Sequence, residues 1–420
     1  MVTRLVSSAW NGRPFYGLPL SFAINFSPVF IWLCIFKNAG LIPTEWRPPI
    51  HVRLAYDWDT AFFSLEYLPV WILISTAFAA LWHMVLIKNF SNHHNVDTHP
   101  IFTSLKDLEN NIECRVYDSS SSSSSEDNTL FDADDDDDDD SDSLFGNDEL
   151  ETALAADQNN HVIPINISKI TRTHALQITP ILFAAIWPVL NIDQFFAQPL
   201  SVPKDLTAWF FYVLGHITFP ILTAVWLYVF QPQGAVKAFS FALGFQNIAG
   251  VCTHLLFPNA PPWFIHMYGP DAEADYEMPG YAAGLTRVDV ALGTHMHSKG
   301  FHKSPIVFGA FPSLHSAMAF QVCLFIWYYA RSKLLRAAGI AFVCIQWWAT
   351  IYLDHHFRID LIAGATYALI SFSLMYPYIR KKEHEFLSAR LRGDFTRGST
   401  MGMRVFRGFK RAEKFFDPCR

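Results

Sequence analysis

Eight stretches of this 420-residue chain stay apolar for about the 19 residues needed to cross roughly 30 Å of hydrocarbon, and no other feature restricts the possible folds so strongly. They run near 19–36, 67–87, 174–190, 207–230, 237–256, 316–330, 336–353 and 361–379. A lipid-facing segment must satisfy its own backbone hydrogen bonds, so such runs form helices. The expected fold class is therefore all-α, a polytopic membrane helix bundle. Charged residues make up 16% of the chain against about 25% in ordinary soluble domains, which argues against a single soluble globule and against nucleic acid as a partner. The third stretch is short and interrupted by Pro180 and Pro188, so it either spans or lies at the interface.

Charge is unevenly spread. The chain carries a net −7, yet residues 116–160 hold 16 acids and no Lys or Arg, and the remainder carries +9. Residues 380–420 contain 12 Lys and Arg against five acids, and Arg331, Lys333 and Arg336 occupy the turn between the sixth and seventh stretches. Both are expected to face the cytoplasm. Counting back through eight spans puts the N-terminus and residues 88–173 on the same side. The loops near 37–66, 191–206, 257–315 and 354–360 then face the lumen or exterior.

The expected organisation is a 1–87 region with two spans, an 88–173 cytoplasmic insert, a 174–379 core of six spans and a 380–420 basic tail. The insert contains seven consecutive Ser and seven consecutive Asp, a composition unable to bury enough apolar area to offset the entropy of ordering, and it reads as disordered. It is either a phosphorylatable tether or a solvated linker. The six Cys form no CxxC, which supports neither a disulfide framework nor a zinc module, and Met1 to Tyr16 lacks the basic-then-apolar pattern of a cleavable signal.

Ionisable groups at membrane depth are functional candidates, because each is costly to bury there. Two clusters stand out, Pro312-Ser313-Leu314-His315 opening the sixth span and His355-His356-Phe357-Arg358-Ile359-Asp360 opening the eighth. His315 and His356 are 41 residues apart, about two span lengths, so one pass down and one back returns them to the same face. His356 and Asp360 lie four apart and share a helix face, which suits a carboxylate orienting an imidazole. Pro312 fits a first helical turn, leaving the amides and hydroxyl around Ser313 to favour a phosphate. The candidate catalytic residues are thus His315, His356 and Asp360. His355 is the competing nucleophile, and the spacing to Asp360 favours His356. His295, His297 and His302 with Asp354 are a weaker metal candidate, His-x-His being poor ligand spacing in a loop, and no metal is expected. Arg287 either pairs with Asp289 or holds phosphate.

These residues resemble the type 2 phosphatidic acid phosphatase superfamily, whose motifs Pro-Ser-Gly-His and His-x-x-x-Asp read here as Pro312-Ser313-Leu314-His315 and His356 to Asp360. The superfamily's Lys-x6-Arg-Pro motif has no match, and its arginine six residues before the second histidine is Thr350. A phosphomonoester dianion benefits from several cationic donors and a diester needs fewer, so this shortage favours a diester, unless Arg47, Arg53, Arg287, Lys299, Lys303 or Arg358 compensates.

Further stretches resemble one branch, the fungal inositol phosphorylceramide synthases and their inositolphosphotransferase relatives. They include Trp46 to Ile50, Phe257 to Phe264, Gly284 to Asp289, Val307 to Ser316 and Trp347 to His356. Asp354, the acidic insert and the basic tail have no counterpart in the synthase pattern. The resemblance implies a six-helix phosphatidic acid phosphatase type 2-like core plus two N-terminal spans. It implies transfer of inositol phosphate from phosphatidylinositol to ceramide or a glycosylated sphingolipid, with His356 as nucleophile, His315 as acid and base, and Ser313 and Arg287 on the phosphoryl oxygens. It further implies no cofactor, a Golgi membrane with a luminal site and, for some members, a small regulatory membrane subunit. A lipid phosphate phosphatase and a non-enzymatic lipid-binding or transport protein are the rival expectations.

Overall fold

Apolar runs bounded by Pro, Gly and Ser fold into helices whose lengths match the bilayer. The computed structural model describes residues 3, 5–7, 16–96 and 169–419. Among these, no β-strand occurs, and regular structure is helical apart from isolated bridges at His51, Asn259 and Gly309. The long helices are α1 (Gly17–Asn38), then, after the short α2 (Arg53–Phe62), α3 (Leu68–Val96) and α4 (Lys169–Phe196). Next come α5 (Val202–Phe230) and α6 (Ala235–Leu256). Three short helices follow, α7 (Pro262–Tyr268), α8 (Leu285–Leu292) and α9 (Met296–His302). The chain then forms α10 (Leu314–Tyr329), α11 (Lys333–Tyr352) and α12 (Arg358–Leu391), and ends in α13 (Met401–Val405) and α14 (Lys410–Phe415).

Seven described helices are long and apolar enough to cross a membrane. The eighth expected span is α10, whose 16 residues reach only about 24 Å. It is short because it starts inside the protein, where Ser313, fully buried, caps it by accepting from the Ser316 amide. The third stretch is one uninterrupted helix, α4, through Pro180 and Pro188. Proline at 188 removes the amide that would bond to the Ala184 carbonyl. That carbonyl instead accepts the Trp71 indole N–H of α3 at 3.1 Å. The same contact fastens α3 to the outside of α4, with Trp71 stacked on Phe183.

α10 lies at the centre, packed against α5, α6, α11 and α12, with α4 against α11. α1 adds to the outside of α6, where Gly244 lies against Pro28 so closely that a Cβ would collide with it, and Ser240 donates to the Asn25 carbonyl at 2.7 Å. The bundle with two outer N-terminal helices is therefore the arrangement found. Helix α3 continues to Val96 and α4 begins at Lys169, so helix enters both ends of the expected insert; residues 97–168, with the Ser and Asp runs, lie outside the described residues.

The four loops expected to share a face do so. Residue 51 bonds to 258 and 260, and 259 to 308, while Ala55, Trp263, Phe264, Phe308 and Phe357 form a second small core. At the other end the chain past Arg380 is not a separate tail. α12 runs on to Leu391, Gln233 donates to the Thr396 carbonyl at 2.9 Å, and Arg390 pairs with Asp417.

Gly364 decides how closely α10 and α12 approach, because a Cβ there would strike the Ser313 carbonyl oxygen. Gly364→Val should destabilise the bundle by about 1–3 kcal/mol through overpacking, read as a lower midpoint in a detergent thermal-unfolding assay; an unchanged midpoint would contradict the packing.

Candidate active site

Two helix starts meet beneath the loop-covered face. The Ser313 amide donates to the Asp360 carbonyl at 3.0 Å, and the Ser316 hydroxyl donates to the Leu361 carbonyl at 2.6 Å while accepting from the Trp347 indole. These bonds place His315, in the first turn of α10, beside His356, just ahead of α12. Their ring centroids are 6.0 Å apart.

His356 is buried, and its Nδ1 lies 2.9 Å from the Ala310 carbonyl oxygen. A carbonyl only accepts, so Nδ1 carries the proton and the Nε2 lone pair is free. The nearest Asp360 oxygen is 3.6 Å from Nδ1, beyond a hydrogen bond, and that same oxygen accepts the Phe357 amide at 2.9 Å. The expected carboxylate-to-imidazole bond is thus replaced by a backbone carbonyl. Asp360, fully buried, caps α12 and lies close enough to stabilise an imidazolium electrostatically.

Ser313 differs from expectation. Its amide is spent on the Asp360 carbonyl, which joins the two helix starts, and its hydroxyl oxygen accepts the Ser316 amide, which leaves the hydroxyl proton as its remaining donor. Arg287 does not pair with Asp289; its Nε donates to Asp205 at 2.8 Å, with the guanidinium over the Tyr352 ring. Asp289 instead accepts from Thr294, His297 and Ser298. Burial would raise its carboxyl, but these bonds hold it well below the usual carboxylate range. His297 is used up, donating to Asp289 and accepting from the Trp209 indole at 3.0 Å. Among the described residues no cluster of three or more His, Cys, Asp or Glu could hold a metal.

The arginines that could have compensated for the missing motif have partners elsewhere. Arg358 bonds Asp59 and Asn191, Arg47 bonds the Ile42 and Ala39 carbonyls, and Arg53 pairs with Asp57 and Asp271. Thr350 is fully buried with its hydroxyl bonded to its own helix at Trp347.

Three aromatic and imidazole groups near the pair were not singled out as site members from the sequence. Tyr212 stacks on His315 (4.0 Å, 13°) and on His355 (5.0 Å, 13°), and His216 lies 4.3 Å from His315. His254 donates to the Pro312 carbonyl at 2.8 Å, holding the loop before α10. Two rings parallel to Tyr212 at these distances must take opposite faces, so Tyr212 separates His355 from His315. His355 also stacks on Phe301, and burial with the adjacent His356 pushes its imidazolium down to about 3, leaving it neutral. His216 and His254 carry a readable signal, being titratable residues within spans. Tyr212 carries none, as an aromatic in an aromatic-rich helix.

Asp354 adopts a left-handed backbone (φ 64°), and its carboxylate accepts from His266 at 2.9 Å, which raises the His266 pKa.

The family model described as the PAP2 superfamily matches residues 193–374, which include every residue of this site. Inositolphosphotransferase 1 of Saccharomyces cerevisiae is 33% identical, the alignment covering 99% of this chain and 98% of that protein. Inositol phosphorylceramide synthase of Candida albicans is 39% identical over 46% of this chain and 41% of its own length. Phosphoinositol dihydroceramide synthase of Bacteroides thetaiotaomicron is 30% identical over 44% of this chain and 59% of its own. No solved structure matches the chain.

Proposed function

Because the chain belongs to the inositol phosphorylceramide synthase-like branch of the PAP2 superfamily, we propose that it is a phosphotransferase moving inositol phosphate from phosphatidylinositol to a sphingolipid, ceramide or mannosylated inositol phosphorylceramide, with release of diacylglycerol. The observation that carries this reading is the His356 ring, its Nδ1 proton fixed by the bond to the Ala310 carbonyl so that the lone pair lies on Nε2, with the His315 ring 6.0 Å away.

In the first step the Nε2 lone pair attacks phosphorus, the bond from phosphorus to the diacylglycerol oxygen breaks, and His315 as imidazolium gives that oxygen its proton. A phosphohistidine bearing inositol results. In the second step neutral His315 takes the proton of the acceptor hydroxyl, whose oxygen attacks phosphorus, and His356 leaves. Asp360, 3.6 Å from Nδ1, stabilises the cationic ring while it forms. Ser313 acts by holding the helix starts together, and Arg287 anchors the surrounding loop through Asp205. A diester carries one charge, which suits a site whose neighbouring arginines are bonded elsewhere.

The protein is an integral multi-pass membrane protein. The Lys and Arg bias favours a cytoplasmic 331–336 turn and C-terminal region, which puts the site on the luminal face of a secretory membrane, most simply Golgi. The reading is tested by incubating the purified full-length chain in phosphatidylinositol vesicles with ceramide or with mannosylated inositol phosphorylceramide. Beyond the single equivalent per enzyme released as the phosphohistidine forms, diacylglycerol should appear only with acceptor and in equal amount to the inositol phosphosphingolipid; activity of the chain alone would also show that it needs no subunit. Release of free phosphate from phosphatidate, indifferent to ceramide, would mark a phosphatase instead.

A further inference from the structure

His216 takes no part in the transfer chemistry, yet it sits against the general acid and base. Its centroid lies 4.3 Å from that of His315, a face contact. Two imidazoles joined edge to edge by a hydrogen bond of about 2.9 Å would have centroids farther apart, so His216 is not placed to pass His315 a proton directly. Its Nδ1 is buried without a partner among the protein atoms. An unpaired buried polar atom is destabilising, and a substrate group can relieve that on binding.

The local backbone explains how it comes to be there. Residues Phe210–Gly215 form a single π turn within α5, the kind of distortion often found at functional sites. The turn directs both Tyr212 and, one turn later, His216 onto the same ring of His315. On the same helix Leu214, Ile217 and Ile221 are exposed, in a span that faces lipid. A ligand whose chains lie along that surface brings its polar end to His216 from the membrane.

We propose that His216 Nδ1 hydrogen-bonds a hydroxyl of the acceptor lipid next to the hydroxyl that reacts, which makes His216 a specificity-determining residue for polyhydroxylated acceptors. The inference rests on the transferase reading above. The neighbouring hydroxyl is the 3-hydroxyl if the acceptor is ceramide, and a ring hydroxyl if the acceptor is a mannosylated lipid; the chemistry is the same.

The test uses the full-length protein in phosphatidylinositol vesicles, with ceramide paired against 3-deoxyceramide, and mannosylated inositol phosphorylceramide paired against its analogue lacking the vicinal mannose hydroxyl. In one pair the parent should favour the hydroxylated acceptor by about tenfold in kcat/KM, the size of a neutral hydrogen bond. His216→Phe, which keeps a ring against His315, should bring that ratio close to one without changing the KM for phosphatidylinositol, and His216→Gln should retain part of it. The pair that responds identifies the source of the hydroxyl. Parent protein that ignores the deletion in both pairs overturns the proposal with no variant needed, as does an undiminished preference in folded His216→Phe. Parent protein that transfers to no acceptor overturns the transferase reading itself.

Discussion

His356→Asn is expected to lower inositol phosphate transfer by roughly 10⁴-fold or more while leaving the protein folded and membrane-inserted. Asparagine is the informative replacement because its amide N–H occupies about the position of Nδ1 and can still donate to the Ala310 carbonyl, the bond that holds the native ring at 2.9 Å. What it lacks is the outer nitrogen. Loss of turnover in a variant that keeps the thermal midpoint therefore isolates the nucleophile from the scaffold. A second readout is covalent: parent protein mixed with phosphorus-labelled phosphatidylinositol and no acceptor should trap an acid-labile, alkali-stable label on the chain, and His356→Asn should trap none. Retained transfer above about one per cent of the parent would contradict the assignment and redirect it to His355, the buried ring on the far side of Tyr212.

The positions of His315, His356 and Asp360 were legible because helical spacing and span length are properties of the chain itself: 41 residues of mostly apolar sequence return to the same face whatever the packing details. The partner of His356 was not. A backbone carbonyl has no residue signature, so Ala310 could not be distinguished from its neighbours, and the carboxylate four residues away looked the better candidate. The partner of the Ser313 amide was hidden for a related reason, since an amide free at a helix N-terminus and one bonded to the carbonyl of a neighbouring helix read identically in sequence. Arg287 found Asp205 rather than Asp289 because that choice depends on how α5 meets α8, a tertiary fact with no local pattern. α10 looked like a full span in hydropathy, which does not register where a helix begins below the surface of its own protein.

The shortage of cations belongs to both levels. Thr350 in place of arginine was visible at once, but its meaning depended on whether other arginines converge on the histidines. Arg47, Arg53, Arg287 and Arg358 each have acidic or carbonyl partners in the surrounding framework, which makes them struts of the loop-covered face. A phosphoryl group between His315 and His356 therefore meets the histidines and their dipolar surroundings without an unpaired arginine from this set. That is enough for a monoanionic diester more readily than for a dianion.

His315→Gln is expected to reduce transfer from phosphatidylinositol by about 10²–10⁴-fold, the usual contribution of a positioned acid and base. The loss has two origins, protonation of the departing diacylglycerol oxygen and deprotonation of the acceptor, and they can be separated. A donor in which diacylglycerol is replaced by nitrophenol has a leaving group that departs without a proton. With that donor the variant should release one equivalent of nitrophenolate per enzyme at close to the parent rate, then turn over slowly, because the second step still lacks its base. The geometry favours this outcome, since His356 keeps its bond to Ala310 and its approach to phosphorus when only the α10 ring is changed. An equal fall in the rate of the burst with both donors would mean that His315 serves instead to hold Tyr212 and His216 in place, and the acid-base assignment would pass to another group.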